Sequence, residues 1–105
     1  MSQAYAVAQP ERSAIDTMDG IVALEFGAGW CGHCQAAAPL IASALAAFPH
    51  ARHIKVEDGS GRKLGRAFRV KLWPTLVIVR NGQELARVVR PADAQEVRQA
   101  LAAAN

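Results

Sequence analysis

Ile21–Phe26 (IVALEF) is apolar at every position but one. A run this short and uniform suits a strand covered on both faces, because a half-exposed strand would alternate polar and apolar side chains. Two-sided cover requires helices above and below a sheet, and the remaining sequence supplies them. Glu11–Met18 is a short helix entered behind Pro10, and Asp19-Gly20 is a turn. Cys31–Phe48 is an alanine-rich helix with Leu40, Ile41, Ala44, Leu45 and Phe48 on one face, kinked at Pro39 and stopped by Pro49. Arg52–Val56 is a second strand, and Asp58-Gly59-Ser60-Gly61 is a loop leading into a helix that ends near Phe68. Thr75–Val79 (TLVIV) is a further strand, joined through Asn81-Gly82, the strongest hairpin signal in the chain, to an antiparallel partner over Glu84–Val89. Pro91 opens a last helix, Ala92–Ala103, with Val97 and Leu101 facing inward, and Tyr5 and Val7 share one face of a short edge strand at the start. The order predicts an α/β fold over residues 1–105 as a single domain: a mixed central β-sheet flanked by helices on both faces.

With 51% hydrophobic and 20% charged residues in 105, the balance is that of a folded domain with one modest core. No apolar run approaches the roughly 18 residues of a membrane-spanning helix. The first ten residues have neither a basic start nor a long apolar stretch, which implies a cytoplasmic protein, or a periplasmic one had a signal segment already been removed. The net charge of +3 is mild. Arg62, Lys63, Arg66 and Arg69 read as a solvated helix face, without the interleaved aromatics that base stacking needs, so no nucleic-acid partner is expected. His50 and His53 read as surface residues, and Gly59-Ser60-Gly61 is too short for a phosphate-binding loop.

The chain has two cysteines, Cys31 and Cys34. A disulfide between them closes so small a loop that it staples almost nothing, so the pair points to chemistry rather than to stability. They follow a strand and open a helix. A helix's first turn has free N–H groups and the positive end of the macrodipole, both of which favour a thiolate at Cys31. Cys34 lies one turn on, its Cα about 5 Å away and within disulfide range. Cys31 is therefore the expected nucleophile and Cys34 the resolving thiol. Gly32 leaves room for a backbone to approach. His33 adds positive charge beside the sulfur, which stabilises the reduced pair and makes it more oxidising. The competing readings are an inert pair or half a zinc site, but the chain has no second CxxC or HxxxH.

At these residues the chain resembles the thioredoxin family, and the resemblance extends over essentially the whole length. Trp30-Cys31-Gly32-His33-Cys34 is similar to the active-site motif, Pro39 falls five residues after Cys34 as the family's helix kink does, and Trp73-Pro74-Thr75 resembles its cis-proline loop. The Asn81-Gly82 hairpin and the last helix fall where the family has them. The CGHC form is most familiar from protein disulfide isomerases, whereas common thioredoxins carry proline at the His33 position. The resemblance implies a thioredoxin fold with Pro74 cis beside the cysteines, where it fills space that would admit a metal. Proline is the residue for which the cis form costs least. The backbone at Trp73 would pair with an extended substrate. The Trp73 side chain, larger than the residues usual there, is either a substrate contact or a packed aromatic. Trp30 would shield Cys31 and offer an apolar docking surface.

Glu25 stands where the family places an acidic residue, usually Asp, beneath the second cysteine. A charge inside an apolar strand requires a partner or a task. Glu25 thus reads as a buried carboxylate of raised pKa that accepts a proton from Cys34, the alternative being an outward-facing strand residue. Lys55 matches a family lysine near this acid. Arg90 stands where many thioredoxins have glycine; it either tunes the second cysteine, as an arginine of disulfide isomerases does, or is solvated at a strand end. The expected function is thiol–disulfide exchange with disulfide-containing protein substrates, as a reductant recharged by a reductase such as thioredoxin reductase. The protein is expected to act as a monomer, with no bound cofactor or metal and no membrane partner. The alternatives are a disulfide oxidase or isomerase, which His33 favours, and a non-catalytic thioredoxin-like binding module.

Overall fold

A computed structural model describes Tyr5 and residues 8–105; Val7, and with it the expected amino-terminal edge strand, lies outside the described residues. Among the described residues, four helices and four strands follow in the order α1 (Arg12–Asp16), β1 (Ile21–Gly27), α2 (Gly32–Ala46), β2 (Arg52–Glu57), α3 (Lys63–Ala67), β3 (Thr75–Arg80), β4 (Gln83–Val89) and α4 (Ala94–Ala104). The sheet order is β2-β1-β3-β4, with β1 parallel to β2 and the other pairings antiparallel. The two strands that are apolar on both faces, β1 and β3, take the two central positions, where both faces are covered.

Side chains of a strand alternate between faces, and the core divides accordingly. Ile21 and Ala23 of β1 pack with Leu76 and Ile78 of β3 against Ala37, Ile41, Ala44 and Leu45 of α2 and Val97 and Leu101 of α4. Val22, Leu24 and Phe26 pack on the other side with Val77, Val79, Ile15 of α1, and Leu64 and Phe68 around α3. Glu25 and Gly27 therefore belong to the α2 side of the sheet by parity alone.

Asn81 and Gly82 both take left-handed φ angles, 51° and 77°, as the two central residues of a type I′ hairpin turn do. Several helix boundaries differ from expectation, α1 covering only Arg12–Asp16 and α2 beginning at Gly32. α2 stops at Ala46, short of Phe48, because a residue before proline is driven out of the helical region. α4 starts at Ala94, because Asp93 caps it by accepting a bond from the Glu96 N–H at 3.0 Å. No described helix is long and apolar enough to cross a membrane.

Candidate active site

Cys31 is the N-cap of α2, not its first residue: its φ and ψ are extended (−78°, 121°), and its Sγ accepts a hydrogen bond from the Cys34 N–H at 3.2 Å. A sulfur thus occupies the place where a serine or aspartate oxygen usually caps a helix, facing free N–H donors and the positive helix end. The thiols are not joined, and both are shielded, Cys31 at 8% exposure and Cys34 at 2%. Burial, reinforced by the hydrogen bond to Cys31, pushes the Cys34 thiol up to about 11. The pair is asymmetric in position as the sequence implies, one sulfur at the helix cap and the other one turn deeper. The loop that delivers Cys31 is fixed by its own N–H bonding Ala28 O (3.2 Å) and by Gln35 Nε2 bonding Gly29 O (2.9 Å).

Glu25 is 1% exposed, so the outward-facing alternative does not hold. Among the described residues its carboxylate has three polar neighbours. His53 Nε2 lies 2.7 Å from Oε1, Lys55 Nζ lies 3.8 Å from Oε2, and the Tyr5 hydroxyl donates to Oε2 at 3.4 Å. Parallel pairing explains the cluster: Glu25 registers with Lys55, and Ala23 with His53, so all these side chains leave the same face. Lys55 is 7% exposed and sits 4.4 Å over the Tyr5 ring. His53, expected at the surface, is instead hydrogen-bonded into this cluster, with its side chain 22% exposed. His50 is exposed. Burial, then the Glu25 charge, raises the Tyr5 phenol, which keeps the hydroxyl a donor. A cavity of about 840 Å³ opens beside these groups, lined by Tyr5, Ala28, Gly29, Cys34, Lys55 and Glu57 among others.

The Trp73–Pro74 bond is cis, and Pro74 is buried. Trp73 is half-buried against Ala28, Cys31 and Cys34, which fits a packed aromatic, and its indole N–H donates to Asp58 Oδ2 at 2.8 Å. Trp30 is 77% exposed and meets Trp73 edge-on, with ring centroids 5.6 Å apart. Asp58, seen in sequence only as part of a loop, is therefore the anchor of this rim. Asp58→Ala should cost about 1.5 kcal/mol in a urea melt and make the tryptophan emission more open to acrylamide quenching. Unchanged quenching would mean that packing alone holds Trp73.

Arg90 is exposed just past the end of β4. Its Nε donates to Trp73 O at 2.7 Å and its backbone N–H to Pro74 O at 3.0 Å, so it braces the proline loop. Its φ of 48° is left-handed, a conformation glycine adopts without penalty. A Cβ on Gly32 would meet nothing within 4 Å from other parts of the described residues, so any room that glycine leaves faces outward. His33 is exposed, and its ring bonds nothing among the described residues. Among the described residues, no group of three or more His, Cys, Asp or Glu side chains is placed to hold a metal ion.

The family model described as Thioredoxin matches residues 6–103. The solved structure of thioredoxin 2 from Pseudomonas aeruginosa PAO1 in its reduced form superposes with a TM-score of 0.87 and 49% identity, covering 99% of this chain and 96% of that one. Thioredoxin-1 of Saccharomyces cerevisiae is 34% identical over 85 residues, 81% of this chain and 82% of the yeast protein. The H-type thioredoxin of Fagopyrum esculentum is 30% identical over 69 residues, 66% of this chain, and the match spans 60% of the plant protein's length. A dithiol capping a helix beside a cis-proline is thus found in a chain that matches these proteins along most of its length, and it belongs to the thioredoxin family of thiol–disulfide oxidoreductases.

Proposed function

We propose that the chain reduces disulfides in protein substrates. The observation that carries this reading is the Cys31 sulfur at the α2 cap, bonded by the Cys34 N–H, with the Trp30 and Trp73 rings beside it. Cys31 attacks a substrate sulfur and forms a mixed disulfide. Cys34 attacks Cys31 Sγ, the substrate leaves as a thiolate, and the enzyme is left as the Cys31–Cys34 disulfide. Cys34 must first lose a proton, and Glu25 is the acceptor. Trp30 supplies an exposed apolar docking surface. Electrons return through a reductase of the thioredoxin reductase class, and the setting is the cytoplasm.

Insulin reduction in the presence of dithiothreitol tests the reading. Turnover should vanish in Cys31→Ser, and full activity in that variant would reduce the chain to a binding module. The raised Cys34 thiol gives a pH prediction. Burial favours its neutral form, so iodoacetamide at neutral pH should label Cys31 alone, with Cys34 joining only as pH nears about 11. Equal labelling of both at neutral pH would remove the division of labour. Direction of flow is decided by the redox equilibrium of the pair against glutathione, since about 30 mV corresponds to roughly 1.4 kcal/mol. A strongly oxidising pair would favour the oxidase or isomerase role that His33 suggests.

A further inference from the structure

We propose that the Tyr5 hydroxyl carries the proton between Cys34 and Glu25 during release of the substrate. This rests on the reading of Glu25 as the proton acceptor and supplies the route. No hydrogen bond joins Glu25 directly to Cys34. The carboxylate's Oε1 is taken up by His53, which leaves Oε2, and Oε2 receives the Tyr5 hydroxyl at 3.4 Å. That hydroxyl also lies on the Cys34 side of the cluster: the Tyr5 oxygen and Cys34 Sγ flank one small space, each 2.6 Å from the point where a Cβ on Gly27 would sit. The absence of a side chain at Gly27 leaves that space open to both atoms. Tyr5 and Cys34 also line the same cavity.

The remaining groups fit this route. From β1 there is Glu25; from β2 there are His53, Lys55 and Glu57; from α2 and its cap there are Cys34 and Cys31. The Lys55 ammonium over the Tyr5 ring holds the ring in place and keeps Oε2 facing it. The phenol is raised by burial and by the nearby carboxylate, so it passes a proton without resting as a phenolate. In the step itself, the Cys34 S–H proton moves to the Tyr5 oxygen as the Tyr5 O–H proton moves to Glu25 Oε2. The Cys34 sulfur bonds to Cys31 Sγ, the Cys31–substrate S–S bond breaks, and its electron pair leaves on the substrate thiolate. The dithiol is oxidised and the substrate disulfide reduced. His53, bonded to the other carboxylate oxygen and 22% exposed, gives Glu25 an outlet toward water.

Tyr5→Phe removes only the oxygen and keeps the ring under Lys55. Stopped-flow reaction with an aromatic nitrobenzoate disulfide separates the steps, since attack by Cys31 releases one coloured thiolate and attack by Cys34 releases the second. Tyr5→Phe should leave the first release unchanged and slow the second by about 10- to 100-fold, within the range of a lost proton-transfer group. Glu25→Gln should slow the second release as well, and adding Tyr5→Phe to it should bring no further loss, because the two act in series. If Glu25→Gln slows the second release and Tyr5→Phe does not, water carries the proton and the proposal falls while Glu25 keeps its role. If Glu25→Gln is without effect, the acceptor reading itself falls. The parent protein gives a second readout that needs no variant. Across mixtures of light and heavy water, the second release should follow a bowed curve, as expected for two protons moving together, and a straight line would overturn the relay.

Discussion

Replacing Glu25 with alanine should lower folding stability by about 3–5 kcal/mol, a large share of the 5–15 kcal/mol typical of a domain. The reason is what remains behind. Glu25 is 1% exposed and Lys55 7%, so removing the carboxylate leaves an ammonium group in the interior without its counter-charge. His53 loses its partner too, at 2.7 Å, and a cavity opens under α2. A urea melt at neutral pH should show the midpoint falling while the slope stays unchanged. Replacing both ends, Glu25→Leu with Lys55→Met, should recover most of the loss, since apolar pairs of similar volume commonly match or exceed buried ion pairs. A loss below about 1 kcal/mol in Glu25→Ala would mean that Lys55 finds water without the fold opening. The contrast between single and double variants bears on function. If an apolar pair holds the fold as well, stability does not account for a carboxylate at this position, as the proposed proton transfer from Cys34 requires.

Much of this was legible in the sequence, and the parts that were not share a cause. The two-sided runs in β1 and β3, the Asn81-Gly82 turn and the cysteine pair are local patterns, each set by alternation or spacing within a few residues. Glu25 stood out because a charge inside such a run contradicts its surroundings. His53 did not, because β2 mixes polar and apolar residues and either face would suit a histidine. Only the parallel register, Ala23 with His53 and Glu25 with Lys55, puts His53 beneath the carboxylate, and register is a property of two strands brought together by α2. Asp58 looked like an ordinary loop residue because its partner, the Trp73 indole, is fifteen residues away. The bonds of Arg90 to the proline loop went unread, because they depend on a left-handed backbone that composition does not reveal.

Gly27→Ala should separate the two cysteines in function without removing either. The backbone at Gly27 is ordinary, with no left-handed φ, so the demand for glycine there is purely steric. A methyl group would sit 2.6 Å from both Cys34 Sγ and the Tyr5 oxygen, closer than carbon approaches either atom, and something has to move. Tyr5 has a long side chain and an adjoining cavity to retreat into. Cys34 is short and fixed in the first turn of α2, so relief there means tilting the helix start or turning Sγ away from Cys31. The stability cost should be about 1–3 kcal/mol, as for other overpacked sites. The kinetic cost should be larger, because displacing a reacting atom by about 1 Å can slow a step roughly 100-fold. Cys31 keeps its cap position, so first attack on a disulfide should proceed while the mixed disulfide accumulates, visible as an added mass on Cys31 in quenched samples. Gly29→Ala is the matched control, since a Cβ there meets nothing within 4 Å. Should both variants release substrate at the parent rate, the space above Gly27 is not what sets Cys34 against Cys31, and the closeness of hydroxyl and sulfur on which the relay depends would have no kinetic consequence.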